Sequence, residues 1–146
     1  MPEPGELDAR CGQLLQRADE ALAEAGRELG ACHFRAGLGA AMGLAQEANR
    51  FLDETAPWKA LPDDRPSAAR SLYTVLNALN ALKVALWPYL PFSCERLHGY
   101  LGYDTPTPAG WQLDRLPAGQ QLRERAPLFA KLEPTVIEEE EERLAS

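Results

Sequence analysis

The stretch that decides the fold is SLYTVLNALNALKVALW, residues 71–87. Its apolar side chains recur at steps of three and four residues, which is the spacing of one helix face. The expected buried stripe consists of Leu72, Val75, Leu76, Leu79, Leu82 and Leu86. Tyr73, Val84 and Trp87 widen this stripe. A helix that is apolar on most sides belongs in the middle of a bundle, so we expect a central helix over about residues 67–87.

Two helices are predicted upstream, over roughly residues 6–29 and 33–55. Gly30 ends the first, and a short turn leads into the second, which favours an antiparallel hairpin. The expected stripe of the second helix is Phe34, Leu38, Ala41, Ala45, Ala48 and Leu52. This helix is also rich in glycine, which costs about 1 kcal/mol per position in a helix interior. We therefore infer that a neighbouring helix approaches it closely.

Downstream of the central helix, Pro88 stops helical structure and Pro91 opens a short helix over about 91–101. The next segment is rich in Pro, Gly and Thr, and we expect it to be extended and pinned by Trp111, Leu113, Leu116, Leu128 and Phe129. Residues 133–146 predict a last short helix. The predicted fold is all-α, an antiparallel bundle of four to five helices with an extended C-terminal segment. Residues 1–132 form the helical domain, and 133–146 an acidic helix or tail.

Composition places the chain among soluble globular proteins, with 45% apolar and 25% charged residues. No apolar run reaches membrane-spanning length, and the start of the chain lacks the pattern of a signal peptide. We expect a cytoplasmic protein without a membrane partner. The net charge is −7, but residues 133–146 hold six acids and one base, which leaves 16 acids and 14 bases elsewhere. This balance excludes the basic stripe of a non-specific nucleic-acid binder, and no DNA partner is expected.

The groups that catalysis requires are scarce. No nucleophile stands at motif spacing from a base, and the three cysteines, Cys11, Cys32 and Cys94, show no metal-ligand spacing. We expect them to be buried free thiols. His98 lies on an apolar-rich helix and is interpreted as structural. We therefore expect no catalytic residue, metal or cofactor within these residues.

The segment NRFLDETAPWKAL, residues 49–61, contains the strongest candidate for a binding site. Pro57 breaks the second helix, and Trp58 follows at once. Trp58 has two open interpretations: it folds onto the helices, or it offers a flat face on which a nucleobase stacks. Asn49 and Asp53 lie one turn apart near the helix end, where they either cap and pack or contact a base edge.

Three segments together resemble a known family. ANRFLDETAPWKAL, LNALKVALWPYLPFSCERLHGYLG and RAPLFAKLE are similar, in order and spacing, to the helical anticodon-binding domain of methionyl-tRNA synthetase. That family has a helix ending in Asn-Arg-aromatic, an acidic turn and Pro-Trp. A long apolar helix, a proline break, a short helix ending in Leu-Gly and a PLF segment follow. The resemblance covers about residues 6–142.

The resemblance implies a tRNA-binding role. In the family the tryptophan of Pro-Trp stacks on a base of the CAU anticodon, and it matches Trp58 here. We expect Pro57 to hold the turn, Lys59 to lend charge to a phosphate, and Asn49 and Asp53 to shape the pocket. The HIGH-type and KMSKS-type motifs of the catalytic domain do not occur in these residues.

The resemblance therefore implies that the catalytic domain of the full ligase charges tRNA, with ATP and methionine. The expected partners of this chain are that catalytic domain and tRNA. These residues alone are not expected to be catalytic. The alternative is a free-standing helical protein-interaction module derived from that domain, with no catalysis and weak or no tRNA binding.

Overall fold

The computed structural model describes residues 1, 3–123, 126–131 and 134–144. In this part of the chain there are six helices and no strand. The helices are α1 (Ala9–Gly30), α2 (Phe34–Thr55), α3 (Pro57–Ala60), α4 (Arg65–Leu86), α5 (Pro91–Tyr100) and α6 (Pro134–Leu144). The predicted all-α class is confirmed, and the three helices of 22 residues form the bundle. None of the described helices has the length and hydropathy needed to cross a membrane.

Helices α1 and α2 form the predicted antiparallel hairpin. Arg10, at the start of α1, forms ion pairs of 2.9 Å with Glu47 and Glu54, near the end of α2. The turn between the two helices contains Cys32, which has a positive φ of 60° and is exposed. The expectation of a buried thiol was therefore wrong for Cys32, because a three-residue turn leaves its middle residue in solvent.

The close approach inferred for α2 occurs at one glycine. A Cβ atom added at Gly37 would lie 2.9 Å from the Tyr89 hydroxyl and 3.3 Å from Leu29 Cγ. The Tyr89 hydroxyl also donates a 2.6 Å hydrogen bond to the Phe34 carbonyl, so it cannot move away freely. Gly39 has open space instead, with no atom within 4 Å of such a Cβ.

Helix α4 is the central helix, but its buried face differs from the predicted leucine stripe. Leu72 is 38% exposed, and Leu76, Leu79 and Leu86 are only partly buried. The buried residues of α4 are Ala68, Ser71, Thr74, Val75, Asn77, Ala78, Asn80, Ala81, Leu82, Lys83, Val84 and Ala85. Small side chains face α1 and α2 because they let the backbones come close, and the bulkier leucines lie at the flanks of this contact.

Helix α2 shows a similar rotation of its buried face. Its buried residues are Gly37, Ala40, Ala41, Leu44, Ala48 and Phe51. Phe34 is 59% exposed and Leu38 is 37% exposed, so the prediction that they line the core was wrong. Leu44 and Phe51, both fully buried, fill the space beside the small residues.

The C-terminal segment packs along a row of buried polar side chains on α4. The Asn77 amide oxygen accepts a 2.8 Å hydrogen bond from the Leu116 N–H, and the Asn80 amide nitrogen donates to the Asp114 carbonyl at 2.8 Å. Leu116 is fully buried. Of the other expected anchors, Trp111 donates to the Leu22 carbonyl at 3.0 Å, whereas Phe129 is 65% exposed. Amide hydrogen bonds and apolar side chains therefore both hold this segment against the bundle.

His98 is buried between α5 and the segment that follows it, which fits its interpretation as structural. It is 2% exposed and stacks on the Tyr103 ring, with ring centroids 4.3 Å apart and planes 8° from parallel. Burial, assisted by the nearby charge of Lys83, lowers the pKa of His98 from 6.5 to about 4. The ring is therefore neutral at neutral pH.

We predict opposite outcomes for two glycine substitutions in α2. Gly39→Ala stabilises the fold by up to about 1 kcal/mol, because alanine favours the helix and its methyl group meets nothing. Gly37→Ala gives no such gain, because the methyl group would displace the Tyr89 hydroxyl and break its bond to Phe34. Urea unfolding measures both changes. Equal stabilisation by the two substitutions would show that the Tyr89 hydroxyl does not pack closely on Gly37.

A second prediction concerns pH. Because the pKa of His98 is lower in the folded state than in the unfolded chain, its contribution to stability is complete above about pH 6.5 and is lost as pH falls towards 4. The loss from this group is about 2–3 kcal/mol at pH 4.5. His98→Gln, which carries no titrating ring, should lose less free energy of unfolding than the parent between pH 7 and pH 4.5.

Carboxylates that titrate in both proteins contribute equally to the two losses of unfolding free energy, so the difference between the losses reports on His98. Equal losses of unfolding free energy in parent and variant would mean that folding does not lower the pKa of His98.

Candidate nucleic-acid interface

The end of α2 meets the start of α3 at a left-handed residue, Ala56. Its φ and ψ are 38° and 59°, and its N–H still donates to the Leu52 carbonyl at 2.9 Å. A residue before proline is disfavoured in the right-handed helical region by a clash with the proline ring. The left-handed alternative costs about 1–2 kcal/mol for a residue with a side chain. Strained backbone of this kind clusters at binding sites, which makes this junction a candidate.

Pro57, Trp58 and Lys59 lie in a single helical turn, α3, that the sequence analysis did not predict. The Lys59 N–H donates to the Ala56 carbonyl at 2.8 Å, and the Leu61 N–H donates to the Pro57 carbonyl at 3.0 Å. Pro57 is buried, whereas Trp58 and Lys59 are exposed. The proline therefore anchors the turn in the bundle, and the next two side chains point outward.

The Trp58 side chain presents a large apolar surface to solvent. Trp58 is 58% exposed, whereas Phe51, two turns earlier on α2, is fully buried. Among the described residues, the Trp58 side chain makes no aromatic stacking contact or hydrogen bond. Packing into the core therefore does not account for its position, and its ring is free to contact another molecule.

Asn49 and Asp53 lie on α2 in the two turns before Ala56, and both are exposed. Their spacing of four residues places them on the same side of the helix. Within the described part of the chain, neither side chain forms a hydrogen bond or an ion pair. Both amide and carboxylate are thus available to an external partner.

A groove beside α3 adds residues that the sequence analysis missed. It has a volume of about 420 Å³, and its walls include Leu61, Arg65, Pro66, Arg70 and Leu72. Neither arginine has a carboxylate oxygen within 4 Å among the described residues. The groove combines apolar side chains with two arginines and the carboxylate of Glu3, next to the Trp58 turn. In the sequence, PDD separates the leucine from the first arginine and PSAA separates the two arginines, a pattern that gave no signal of a shared surface.

The other end of α2 presents an apolar surface on the same side as Asn49. Phe34, Leu38 and Met42 are 59%, 37% and 48% exposed. Steps of four and three residues continue this line through Ala45 to Asn49. The exposed side of α2 is therefore apolar at its start and polar at its end, near Trp58.

No group of three or more potential metal-ligating side chains occurs among the residues that the structure describes.

Comparison with known proteins shows which family the chain belongs to. The family model for the anticodon-binding domain of methionyl-tRNA ligase matches residues 1–146.

Curated relatives agree with this match. The methionine–tRNA ligase of Dehalococcoides mccartyi is 47% identical over 132 residues, which are 90% of this chain and 24% of the relative. That of Chloroflexus aurantiacus is 38% identical, in an alignment covering 100% of this chain and 29% of the relative. The chain thus spans about a quarter of the length of the curated relatives it matches.

The fold also matches a solved structure. The free form of Mycobacterium tuberculosis methionyl-tRNA synthetase superimposes with a TM-score of 0.86 over 91% of this chain and 28% of that one, at 21% identity. The same enzyme bound by methionyl-adenylate gives a TM-score of 0.83, over 88% of this chain and 26% of that one. Sequence and fold agree, and the chain belongs to the family of methionyl-tRNA ligase anticodon-binding domains.

Proposed function

We propose that this chain recognises the CAU anticodon of tRNA as the anticodon-binding module of a methionine–tRNA ligase. The observation that carries the proposal is the exposed indole of Trp58 on a turn anchored by the buried Pro57. A base that stacks on an aromatic ring gains about 1–3 kcal/mol. A ring on a fixed turn loses less conformational freedom on binding than a mobile one, so more of this gain is kept.

The residues around Trp58 have distinct proposed roles. Lys59, next to the indole and exposed, lends charge to a backbone phosphate. Asn49 and Asp53 shape the pocket, since an amide and a carboxylate can bond base edges. Arg65, in the adjacent groove, is a further candidate for a phosphate contact. Phosphate contacts position the RNA, whereas base contacts provide selectivity.

The chemistry of charging belongs to the rest of the ligase. We propose that ATP and methionine bind in the catalytic domain of the full enzyme, and that this domain is the second partner of the chain, in the cytoplasm. The apolar surface formed by Phe34, Leu38 and Met42 supports this partnership. Exposed apolar side chains grouped on one helix face mark interaction sites, and this face runs along α2 into the proposed anticodon pocket.

The first test replaces the proposed stacking ring. Trp58→Ala weakens the binding of a tRNA with a CAU anticodon about 5- to 150-fold, the scale of one lost base stack. It leaves the melting temperature nearly unchanged, because the side chain is mostly exposed. A gel shift with this chain measures affinity. Charging is measured in a chimera in which this chain replaces the matching segment of the Dehalococcoides mccartyi ligase.

Phe92→Ala is the matched control, because Phe92 is an aromatic residue on α5 that is 80% exposed. It should change neither binding nor charging. Lys59→Ala should weaken all tRNAs alike and reduce the salt dependence of binding. Unchanged charging by the Trp58→Ala chimera would overturn the assignment of Trp58. Failure of the parent chain to distinguish CAU from an altered anticodon would favour the free-standing interaction module.

A further prediction tests the partner surface. Leu38→Glu should leave the isolated chain folded, because Leu38 is partly exposed, but in the chimera it should lower the rate of tRNA charging several-fold. The physical reason is that a carboxylate would be buried against the catalytic domain without a partner. Anticodon-dependent binding by the isolated chain should be unchanged.

Gln13→Glu, an exposed position on α1, introduces the same charge away from this surface and should have no effect. Equal charging rates for the Leu38→Glu and Gln13→Glu chimeras would show that the apolar face of α2 does not contact the catalytic domain.

A further inference from the structure

The groove beside α3 carries unpaired charges of opposite sign on its walls. Glu3, in the segment that precedes α1, contributes a carboxylate, and α4 contributes Arg65 and Arg70. Among the described residues, no carboxylate oxygen lies within 4 Å of either guanidinium group, and Glu3 forms no ion pair or side-chain hydrogen bond. The three charged groups therefore line the same space without meeting, and a molecule that lies between them can bridge them.

Two other carboxylates near this groove are already engaged. The Asp64 carboxylate accepts a hydrogen bond from the Ser67 N–H at 3.0 Å, and the Asp8 carboxylate accepts one from the Cys11 N–H at 2.8 Å. Hydrogen bonds from Cys11, and to a smaller extent the charge of Arg70, lower the pKa of Asp8. Neither aspartate is among the residues that line the groove. The groove walls themselves therefore carry two positive charges and one negative charge.

Apolar side chains form the rest of the groove, which suits a flat ring. The walls include Leu61, Pro66, Ala69 and Leu72, of which Leu61 is 49% and Leu72 is 38% exposed. The volume of about 420 Å³ corresponds to about 14 water molecules at about 30 Å³ each, which is room for a purine base with its ribose. Contact between such a base and these side chains removes apolar surface from water, which favours binding.

The groove begins on the side of the α3 turn that carries Trp58. Leu61 follows Trp58 by three residues, and its N–H donates to the Pro57 carbonyl at 3.0 Å, so both side chains stand on one side of this helical turn. Side chains at this spacing are neighbours on a helix surface, with Cβ atoms about 5–6 Å apart. A nucleotide that adjoins a base stacked on Trp58 therefore reaches the groove.

We propose, on the basis of the proposed function, that the groove binds the nucleotide next to the one that stacks on Trp58 and selects a base with an exocyclic amino group. The Glu3 carboxylate accepts a hydrogen bond from such a group, for example N6 of adenine, and repels a carbonyl oxygen at the same place. In the CAU anticodon the middle base, adenine, adjoins both end bases. The groove therefore receives adenine when an end base stacks on Trp58.

The two arginines hold the rest of the same nucleotide. A guanidinium group binds phosphate oxygens in pairs and also stacks on planar rings. A base alone would leave the positive charges of Arg65 and Arg70 without a partner, and a simple anion would leave the Glu3 carboxylate without a donor. A nucleotide with an amino-bearing base satisfies both signs of charge, which is why the groove favours RNA over a free anion.

The test compares two RNA hairpins that differ in one functional group. One hairpin carries the CAU anticodon loop, and the other has inosine in place of the adenosine, which replaces the N6 amino group by a carbonyl oxygen. Fluorescence anisotropy measures the binding of each labelled hairpin to the full chain. The parent chain should bind the adenosine hairpin about fivefold more tightly, which is the scale of one hydrogen bond.

Glu3→Gln should bring the ratio of the two affinities close to one, because an amide donates to a carbonyl oxygen as readily as it accepts from an amino group. Glu6→Gln is the matched control, since Glu6 is an exposed residue of the same segment and is not a wall of the groove. It removes the same charge and should keep the ratio of the parent. An unchanged ratio in Glu3→Gln, or equal binding of the two hairpins by the parent, would overturn the proposal.

A third hairpin separates this proposal from the proposed function. Its anticodon is altered at all three positions, so it tests the recognition of CAU itself, and Trp58→Ala tests the stacked base. If the parent prefers CAU through Trp58 but binds the adenosine and inosine hairpins equally, the proposed function stands and the role of the groove is refuted. If the parent does not prefer CAU to the altered anticodon, the proposed function fails and the role of the groove fails with it.

Discussion

The burial of α4 on two sides is the constraint on which the rest of the structure depends. One side of the helix carries alanines, Ala78, Ala81 and Ala85, which are fully buried against α1 and α2. The other carries Asn77 and Asn80, whose amides bond the backbone of the C-terminal segment. A buried amide is tolerated only when it is hydrogen-bonded. Because both amides find backbone partners, α4 joins the bundle to a segment that has little regular structure of its own.

The position of α4 also determines where Trp58 lies. Asp64 caps α4 by accepting a 3.0 Å hydrogen bond from the Ser67 N–H, and its own N–H donates to the Ala60 carbonyl at 2.7 Å. The turn that contains Trp58 is therefore tied to α2 through Ala56 and to α4 through Asp64. With both ends held, the direction of the indole follows from the packing of the two long helices.

Much of this architecture could be predicted from sequence, and the errors have a common physical origin. Except for the short α3, helix positions followed from periodicity and from Pro and Gly, and they agree with the structure to within a few residues. The predicted buried faces of α2 and α4 were wrong because large apolar residues were assumed to be the buried ones. In a bundle where backbones approach closely, alanine and glycine occupy the contact, and Phe34 and Leu72 are left near the surface.

The candidate site, like the fold, could be predicted only in part from the sequence. The Pro-Trp pair and the neighbouring Asn49 and Asp53 were visible in the sequence, because proline ends a helix and the resemblance assigned a role to the tryptophan. The groove with Glu3 and Arg65 was not visible. It depends on side chains that come together only after folding, because Glu3 precedes α1 whereas Arg65 begins α4.

The charge distribution limits what this domain can contribute to the proposed recognition of tRNA. With 16 acids and 14 bases outside the acidic end, it has little net attraction for phosphate. One stacked base adds about 1–3 kcal/mol, which distinguishes anticodons but does not by itself hold a tRNA tightly. Selectivity of this size becomes effective when the rest of a ligase binds the same tRNA, because the second contact is then intramolecular. On the proposed function, a weakly charged domain with one exposed aromatic ring discriminates among tRNAs that another domain helps to bind.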